Sequence, residues 1–412
     1  MKKYVKIQGN YMSGTVKSMR LQIAVFGRTN TGKSSLINLL AGQNVAITSA
    51  VAGTTTDTVE KAMELSPIGP VLLIDTAGLD DTSELGTERI RRTNKIFDRA
   101  DIALLVTTPG VWGETEESIA QTAALHKLKL ITVVNKCDTQ SVTGEFLELL
   151  GKKSDAVVQT TALHGSSREK VVNDLRNVLL KNLPESFLQM PPLAGDLLKP
   201  GELAVLIVPL DIAAPKGRLI LPQVQAIRDI LDHNAMTLVV KEDRYPELIK
   251  KLNPRPSLVI CDSQVVKMMI ENTPPDIPCT TFSVLFSRLK GDTTVFMQGC
   301  RAIQQLQDND KVLIAEACTH HPTCEDIGRV KLPAMLKKAT GKTLDFTFAP
   351  GRDYPENISD FKLIIHCGSC MLNRKETLWR IECAVRNNIP ITNYGMAISY
   401  CQGVLDKVLV PE

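Results

Sequence analysis

The stretch GRTNTGKS at residues 27–34 decides the fold of the front of this 412-residue chain. It fits the pattern G-x-x-x-x-G-K-S, follows an apolar run typical of a strand, and opens a helical stretch. This context predicts a phosphate loop, because the glycines let backbone N–H groups wrap around phosphate oxygens. We expect Lys33 to reach the β and γ oxygens of a nucleotide and the Ser34 hydroxyl to bind Mg²⁺.

Apolar runs alternate with helical stretches around this loop, from residue 21 to about residue 183. The alternation predicts an α/β domain with a doubly wound, mainly parallel sheet. We therefore expect residues 1–183 to form a GTP-binding domain with a short basic N-terminal tail. Runs typical of buried strands occur at residues 21–27, 71–75, 102–107, 130–135 and 156–160.

Two further motifs follow predicted strands and complete the nucleotide site. In DTAG, residues 75–78, Asp75 is expected to hold Mg²⁺ through water and the Gly78 N–H to meet the γ-phosphate. In NKCD, residues 135–138, the Asp138 carboxylate can accept two hydrogen bonds from guanine N1 and N2. Adenine cannot supply that pair of donors, so the motif predicts GTP rather than ATP.

A threonine-rich segment, GTTTD at residues 53–57, lies between the phosphate loop and the DTAG motif, where a switch segment is expected. Thr55 is the expected Mg²⁺ ligand, and Thr54 is the alternative. Leu79 stands where many small GTPases carry a water-positioning glutamine. We therefore expect intrinsic hydrolysis to be slow or to be assisted by another group.

These motifs together resemble the Era/TrmE-like translation-factor GTPases. In the potassium-activated members, an asparagine at the position of Asn30 binds an ion that stands in for an arginine finger, so the resemblance implies K⁺-stimulated hydrolysis. At the base, Thr161 and Ala162 are expected to place a backbone N–H at guanine O6. The residues expected to contact the nucleotide or its ions are Gly27, Asn30, Thr31, Gly32, Lys33, Ser34, Ser35, Thr55, Asp75, Gly78, Asn135, Lys136, Asp138, Thr161 and Ala162.

A second constellation lies in the last quarter of the chain, as CTH at residues 318–320 and HCGSC at residues 366–370. Thiolates and imidazoles are ligands of soft and borderline metals. Each cluster follows a predicted strand, at residues 311–315 and 361–365, and ligands of open α/β sheets bind at the carboxyl ends of strands. The pattern predicts one metal site closed by the tertiary fold.

Three thiolates are available to this site, from Cys318, Cys367 and Cys370. The fourth position is left for His320, His366, a carboxylate or an exogenous ligand. A structural zinc requires four closed ligands, whereas an iron–sulfur cluster held by three thiolates keeps one exchangeable iron. The spacing favours neither of these two metal centres over the other. Cys324 is interpreted as a free thiol.

The rest of the chain divides at two proline-containing breaks, residues 183–195 and 273–278. The segment 196–273 is small and carries no catalytic constellation, so we expect a dimerisation domain with strands at 203–209, 237–240 and 257–261 and a helix at 221–233. The segment 276–412 is expected to be an α/β metal-binding domain, with a helix at 376–387 that Asn373 could cap.

Composition excludes several functions. Forty-eight basic and 45 acidic residues give a net charge of +3, and aromatic residues make up 4%, so no nucleic-acid surface is predicted. No apolar run is long enough to span a membrane. The ten cysteines are scattered through apolar runs, which favours a reducing cytoplasm. Those outside the two clusters and NKCD are expected to be small buried hydrophobes, namely Cys261, Cys279, Cys300, Cys383 and Cys401.

Taken over essentially its whole length, the chain resembles the [FeFe]-hydrogenase maturation GTPases, the HydF family. The C-x-H and H-C-x-x-C motifs are specific when joined to an N-terminal GTPase domain. The stretches that carry the resemblance are DIP at 276–278, RLKGD at 288–292, EACTHH at 316–321, DIGRV at 326–330, HCGSCMLNR at 366–374 and PITNYG at 390–395.

The resemblance implies a scaffold that binds a [4Fe–4S] cluster through the three cysteines, with His320 or His366 as a fourth or cargo ligand. It implies a diiron precursor bearing CO, CN⁻ and a dithiolate as cargo, apo-hydrogenase as recipient and two radical-SAM maturases as upstream partners. GTP is implied to gate partner exchange, and the middle domain to form a homodimer. The alternative is a tRNA-modification or ribosome-assembly GTPase with a structural zinc.

Overall fold

The computed structural model describes residues 17–41, 59–76, 93–161, 168–209, 219–317, 326–355 and 357–411. The chain divides into two compact units, residues 1–188 and residues 189–412. The predictions made for Thr54, Thr55, Gly78, Leu79, Ala162, Cys318, His320 and Cys324 lie outside the described residues. No described helix combines the length and the apolar character that crossing a membrane requires.

The first unit is built on one mainly parallel sheet. Its strands are β1 (Leu21–Phe26), β2 (Val59–Leu65), β3 (Gly69–Asp75), β4 (Ile102–Thr107), β5 (Lys129–Val134) and β6 (Ala156–Gln159). Their order is β2-β3-β1-β4-β5-β6, and among the described strands of this unit only the β2–β3 pair is antiparallel. The described helices include α1 (Lys33–Ala41), α2 (Glu114–Leu125), α3 (Gly144–Lys153), α4 (Arg168–Lys181) and α5 (Glu185–Leu188).

The five strands predicted for this unit are all present, and the doubly wound α/β fold is confirmed. Strands β1 and β4 are buried at every residue, which explains their continuous apolar runs. Strand β2 was not predicted. It is the antiparallel edge strand, and its sequence VEKAMEL mixes charged with apolar residues because most of its side chains are partly exposed.

Glu60, on this edge strand, lies between two cations. Its carboxylate accepts hydrogen bonds from Lys17 Nζ and from Arg99 Nη1, both at 2.8 Å. Burial alone would raise the pKa of Glu60, but Arg99 and Lys17 outweigh burial and hold the pKa at about 2. The ionised carboxylate of Glu60 therefore stabilises the contacts of the edge strand with Lys17 and Arg99.

Replacing Glu60 with glutamine is expected to destabilise the first unit by about 1–2 kcal/mol at pH 7, a value discounted for partial solvent screening. The folded-state pKa lies below the ordinary value of 4.5, so the stabilisation is full above that pH and is lost as pH falls toward 2. Urea unfolding of both proteins at pH 7 and pH 3 measures the effect. Glu148→Gln, at an exposed pair with Lys152, is the control. A stability difference between wild type and Glu60→Gln that stays constant between the two pH values would contradict this account.

The second unit contains two four-stranded parallel sheets. The first is formed by β7 (Leu203–Ile207), β8 (Met236–Val240), β9 (Leu258–Cys261) and β10 (Cys279–Thr281), in the order β10-β9-β7-β8. The second is formed by β11 (Lys311–Ala315), β12 (Asp345–Ala349), β13 (Leu363–His366) and β14 (Ile391–Asn393), in the order β12-β11-β13-β14.

Helices flank both sheets of the second unit. They include α6 (Leu221–Asp232), α7 (Tyr245–Lys251), α8 (Val266–Asn272), α9 (Phe282–Lys290), α10 (Thr293–Arg301), α11 (Leu332–Thr340), α12 (Arg374–Arg386) and α13 (Tyr394–Cys401). The predicted cap is confirmed, since the Asn373 side chain accepts a hydrogen bond from Glu376 N at the start of α12. A single π-helical turn, Ile327–Lys331, leads into α11.

One hydrophobic core is shared by the two sheets of this unit, and it includes Val205 of β7 and Ile314 of β11. Helix α10 lies so close to β14 that a Cβ at Gly299 would stand 1.9 Å from Ile391 O. Only glycine allows that approach. Five cysteines were predicted to be buried. Cys261, Cys279 and Cys300 are buried, whereas Cys383 and Cys401 lie on helices and are partly exposed.

Candidate functional site

The phosphate loop lies between β1 and α1, and its backbone requires glycine at two positions. Gly27 and Gly32 have φ values of 141° and 97°. A Cβ at Gly27 would stand 2.3 Å from Val106 O, and one at Gly32 would stand 2.2 Å from Asn135 Nδ2. The loop therefore packs directly against the ends of β4 and β5, and a side chain at Gly27 or Gly32 would clash with them.

The two side chains predicted to act on phosphate and Mg²⁺ lie in or beside this loop. Lys33 is buried, and its Nζ donates to Gly27 O at 2.9 Å and to Arg28 O at 2.7 Å. Ser34 Oγ donates to Asp75 Oδ2 at 2.8 Å, so the two predicted Mg²⁺ residues of the described chain are in contact. Burial raises the pKa of Asp75, although Ser34 and Lys33 oppose the shift.

The predicted base-recognition motif is bonded to the same loop. Asn135 Nδ2 donates to Thr31 O at 2.9 Å, and Lys136 Nζ donates to Asn30 O at 2.7 Å. Asn30 itself has a positive φ of 63°. Asp138, two residues beyond Lys136, is exposed to solvent. These contacts bring the motif predicted to recognise the base against the predicted phosphate loop.

Thr160 connects the segment predicted to contact guanine O6 with the NKCD motif. Its Oγ1 donates to Asn135 Oδ1 at 3.1 Å, and its carbonyl accepts a hydrogen bond from Cys137 N. Thr161 directly follows, which brings the start of the predicted guanine O6 segment beside NKCD. Ala162 lies outside the described residues.

One partner of the phosphate loop was missed in the sequence. Arg28 donates from Nε and Nη2 to the two carboxylate oxygens of Glu116, each at 2.8 Å. Glu116 is fully buried and also accepts a hydrogen bond from Gly113 N at the start of α2. Burial opposes ionisation of Glu116, but Arg28 and hydrogen bonds from the backbone of Gly113 and Glu116 together outweigh burial and lower the pKa. This pair fixes the second residue of the loop to a neighbouring helix.

Cys367 lies at the carboxyl end of β13, the edge of the sheet at which a cysteine site is predicted. Cys367 Sγ accepts a hydrogen bond from Ala317 N at 3.0 Å, and Cys367 N donates to Ala315 O at 2.9 Å. Ala317 immediately precedes Cys318 in the sequence. The backbone leading to the third predicted thiol is therefore in contact with the first thiol of the C-x-x-C loop.

His366 ends β13 and is completely buried. Its Nδ1 is 2.9 Å from Cys367 O, and its Nε2 accepts a hydrogen bond from Arg380 Nη1 at 3.1 Å. Burial, followed by the charge of Arg380, lowers the pKa of His366 to about 3. Both ring nitrogens thus contact protein atoms, and the ring is neutral at pH 7.

Two cations around the cysteine loop were also missed as site residues. Arg380 is buried and donates from Nη2 to Gly351 O at 2.8 Å. Lys290, from α9, is buried and donates from Nζ to three carbonyl oxygens of the loop that begins at Cys367. Neither residue was assigned a role at this site from the sequence: the Arg380–Gly351 contact joins residues 29 positions apart and the Lys290–Leu372 contact joins residues 82 positions apart.

The donor set fits a thiolate-bound metal centre. Cys367 and Cys370 share one short loop, an N–H group already bonds Cys367 Sγ, and a buried ammonium group lies beneath the loop. Hydrogen bonds to sulfur and nearby charge are the groups that tune iron–sulfur centres. Within the described residues no three His, Cys, Asp or Glu side chains form a metal cluster, and Cys318 stands outside them.

Comparison with protein-family models gives three matches along the chain. Residues 22–136 match the model described as 50S ribosome-binding GTPase. Residues 193–291 match the hydrogen maturase F dimerization domain, and residues 294–411 match the hydrogen maturase F tetramerization domain. The last two models together cover more than half of the chain.

Individual relatives cover only part of the chain. The tRNA modification GTPase MnmE of Nitrosomonas eutropha is 35% identical over 172 residues, which are 41% of this chain and 36% of the relative. MnmE of Laribacter hongkongensis is 37% identical over 171 residues, again 41% and 36%. A crystal structure of Aquifex aeolicus Era bound to GDP and aluminium fluoride covers 57% of this chain and 98% of its own, at 22% identity and a TM-score of 0.33.

The three family-model matches identify the kind of domain in each part of the chain. The N-terminal match is a GTPase domain, so the chain hydrolyses GTP, with Mg²⁺ as the associated ion. The two remaining matches supply a dimerization domain and a tetramerization domain, so the chain forms oligomers. Tetramerization was not predicted for the C-terminal segment. The chain belongs to the hydrogen maturase F (HydF) family of hydrogenase maturation GTPases.

Proposed function

We propose that this chain is a GTPase scaffold that holds a [4Fe–4S] cluster and carries the diiron precursor of the hydrogenase active site to apo-hydrogenase. Membership of the HydF family supports the destination of the cargo. The observation that carries the cluster assignment is the 3.0 Å contact between Ala317 N and Cys367 Sγ. It brings the backbone next to Cys318 to the loop that holds Cys367 and Cys370.

Cys318, Cys367 and Cys370 would hold the cluster, which when bound supplies one iron with an exchangeable ligand. His320 is the favoured imidazole for that position or for the cyanides of the cargo. His366 could serve only by giving up a contact with Arg380 or with Cys367 O. Its buried ring instead supports a role in holding the loop that carries two of the thiols.

The nucleotide residues would work as a preorganised electrostatic site. Lys33 would turn from its two loop carbonyls to the β and γ oxygens, and Ser34 and Asp75 would hold Mg²⁺ between them. Thr55 would bind Mg²⁺, and the Gly78 N–H would contact the γ-phosphate. Ala162 would contact guanine O6. GTP state would then gate the exchange of partners, which are apo-hydrogenase and two radical-SAM maturases.

Replacing Asp138 with asparagine is expected to reduce the preference for GTP over ATP by about 10-fold or more, because two hydrogen bonds to a charged acceptor are lost. Competition of ATP and GTP for a fluorescent guanine nucleotide measures the change. Asp155→Asn, at an exposed pair with Lys129, is the control. Equal turnover of ATP and GTP by the unmodified chain would contradict the guanine assignment.

Hydrolysis is expected to be several-fold faster in KCl than in NaCl at equal ionic strength. The reason is the combination of Leu79, where a glutamine is absent, with Asn30 in the phosphate loop. Asn30→Ala should lose the difference between the two salts while its rate in NaCl stays near that of the unmodified chain. Identical rates in both salts would remove Asn30 and K⁺ from the mechanism.

The carrier function is tested by transfer. The anaerobically reconstituted chain is loaded with a diiron complex bearing CO and CN⁻, freed of excess complex, and mixed with apo-hydrogenase. We expect the infrared bands of CO and CN⁻ to leave the scaffold and appear on the hydrogenase as hydrogen evolution begins. Activation that proceeds equally well from the free complex, with no bands on the scaffold, would contradict a carrier role.

The MnmE similarity favours one second candidate, a tRNA-modification GTPase with a structural zinc. That similarity is confined to about two fifths of the chain. Binding of tRNA in a gel-shift assay would support this candidate over the scaffold. We also place the protein in the cytoplasm, where reducing conditions keep the three thiols available as ligands.

A further inference from the structure

We propose that Lys290 is the positioning residue of the cysteine site: its ammonium group fixes the Cys367–Cys370 loop and offsets the negative charge of the cluster bound there. The inference rests on the proposed cluster function. It assigns to a residue of the dimerization segment a role at a site that otherwise belongs to the tetramerization segment.

The geometry around the Lys290 ammonium matches its donors to acceptors in the loop. Lys290 is 1% exposed, and its Nζ lies 3.0 Å from Ser369 O, 3.2 Å from Cys370 O and 2.7 Å from Leu372 O. An ammonium group has three N–H donors, so three carbonyls suit it fully. Ser369, the first of the three residues, has a positive φ of 55°.

The attachment of α9 to the loop is reciprocal. Arg374, the first residue of α12 after the loop, donates from Nη1 to Arg288 O at 3.2 Å and to Leu289 O at 2.7 Å. These carbonyls belong to the last turn of α9, whose carbonyl groups lack partners within the helix. Lys290 thus bonds the loop while the residue after the loop bonds α9, so the two segments form one assembly.

Arg288 anchors this helix end on its other side. Its guanidinium donates to both carboxylate oxygens of Asp196, at 2.8 Å and 2.6 Å, and to Pro192 O at 3.2 Å. The side-chain hydrogen bonds of Lys290, Arg374 and Arg288 therefore all hold the end of α9 in place. If the loop moved, Lys290 could follow it only by breaking the hydrogen bonds that hold α9. A positioning residue requires such a fixed attachment.

The ammonium group of Lys290 lies against the backbone of the loop that carries both thiols, with its Nζ bonded to Cys370 O. A thiolate-bound cluster gains negative charge when it is reduced, so a fixed cation beside it favours the reduced state. Removing the cation should therefore make the reduction potential more negative.

A first experiment uses the metal-free full-length chain. Hydrogen exchange of amides in residues 367–373 is compared among the wild type, Lys290→Met, Lys290→Gln and Lys290→Arg. We expect exchange to be about 10-fold or more faster in Lys290→Met, the change that accompanies loss of hydrogen bonds to a charged group. Lys290→Arg should stay near the wild type. Lys267→Met, an exposed lysine on α8, is the matched control. Unchanged exchange in Lys290→Met would overturn the loop-holding role.

A second experiment uses the iron-reconstituted chains, with thermal unfolding of residues 189–412 as the check of folding. We expect Lys290→Met and Lys290→Gln to show a more negative reduction potential by EPR-monitored titration. Iron release to a chelator should be about 10-fold or more faster in Lys290→Met, as for loss of other groups that support metal ligands. The Gln variant keeps a hydrogen-bond donor without the charge, and it is the measured variant if the Met variant does not fold.

The outcomes separate the inference from the function on which it rests. A wild type that binds no cluster would contradict the proposed function, and exchange in the metal-free chain would still decide whether Lys290 holds the loop. A wild type with a cluster whose potential is the same in the Met, Gln and Arg variants would overturn the role of the charge. A potential retained in Lys290→Arg but lowered in Lys290→Gln is the result that the inference requires.

Discussion

Replacing Lys33 with alanine is expected to lower GTP turnover by about 10²-fold or more, the loss typical of deleting a preorganised electrostatic group. The transition state of phosphoryl transfer spreads negative charge over the γ oxygens, and Lys33 is the buried cation that the phosphate loop supplies. Single-turnover hydrolysis of radiolabelled GTP at saturating nucleotide separates this loss from weaker binding.

Two controls make the Lys33 result specific. Lys129→Ala removes an exposed lysine from the same unit and should leave turnover within about twofold. Iron and sulfide binding by the Lys33→Ala chain should also be unchanged, since the cysteine site lies in the other unit. Turnover of Lys33→Ala within a few-fold of the unmodified chain would contradict the assigned nucleotide site.

Serine in place of Cys318, Cys367 or Cys370 is expected to abolish stable cluster binding and hydrogenase activation in each case. A hydroxyl is a poor ligand for iron that thiolate normally holds, and three thiolates leave no spare ligand to compensate. GTP turnover should stay unchanged because the thiols lie outside the GTPase domain. Iron and sulfide analysis, hydrogen evolution after mixing with apo-hydrogenase, and GTP turnover are measured on the same preparations.

Cys383→Ser is the matched control, since Cys383 is a partly exposed cysteine of the same unit. It should retain both the cluster and hydrogenase activation. Cys324→Ser carries the sharper test, because its loss should also be tolerated. If Cys324 proves as necessary as the other three, the site is closed by four thiolates and an exchangeable-ligand scaffold is the wrong mechanism.

The sequence predicted the strands that are buried throughout, such as β1 and β4, and it also predicted β6 and β8, whose side chains are partly exposed. Strand β4, IALLVT, is buried throughout and can be recognised from composition alone. Strand β12, DFTFA, has partly exposed side chains, and β10 and β14 are three residues long, so none of the three has a continuous apolar run. Their strand character depends on pairing with neighbours that are distant in sequence.

The phosphate-loop conformation was predictable because its constraints are local. Gly27 and Gly32 are required by backbone conformation and close approach, and such constraints leave a fixed spacing in the sequence. The Arg28–Glu116 pair was not predictable, because 88 positions separate its members. Only the packing of the loop against α2 brings them together.

The cysteine site shows the same division between local and tertiary information. The edge of the sheet at which Cys367 lies follows from strand order. The surroundings of His366 could not be predicted in this way. The H-C-x-x-C pattern suggests that His366 is a ligand, whereas in the fold its two ring nitrogens bond Arg380 and Cys367 O. Lys290 ends helix α9, 82 positions before Leu372, so no pattern near the cysteines indicates it.

The central claim is that the thiols hold an iron–sulfur cluster rather than zinc. The most direct measurement is the metal content and EPR spectrum of the anaerobically purified, iron-reconstituted chain. The account predicts a brown protein with about four irons and about four sulfides per chain and an EPR signal that appears on reduction, as a [4Fe–4S] centre requires. A colourless, EPR-silent protein that retains stoichiometric zinc would contradict it.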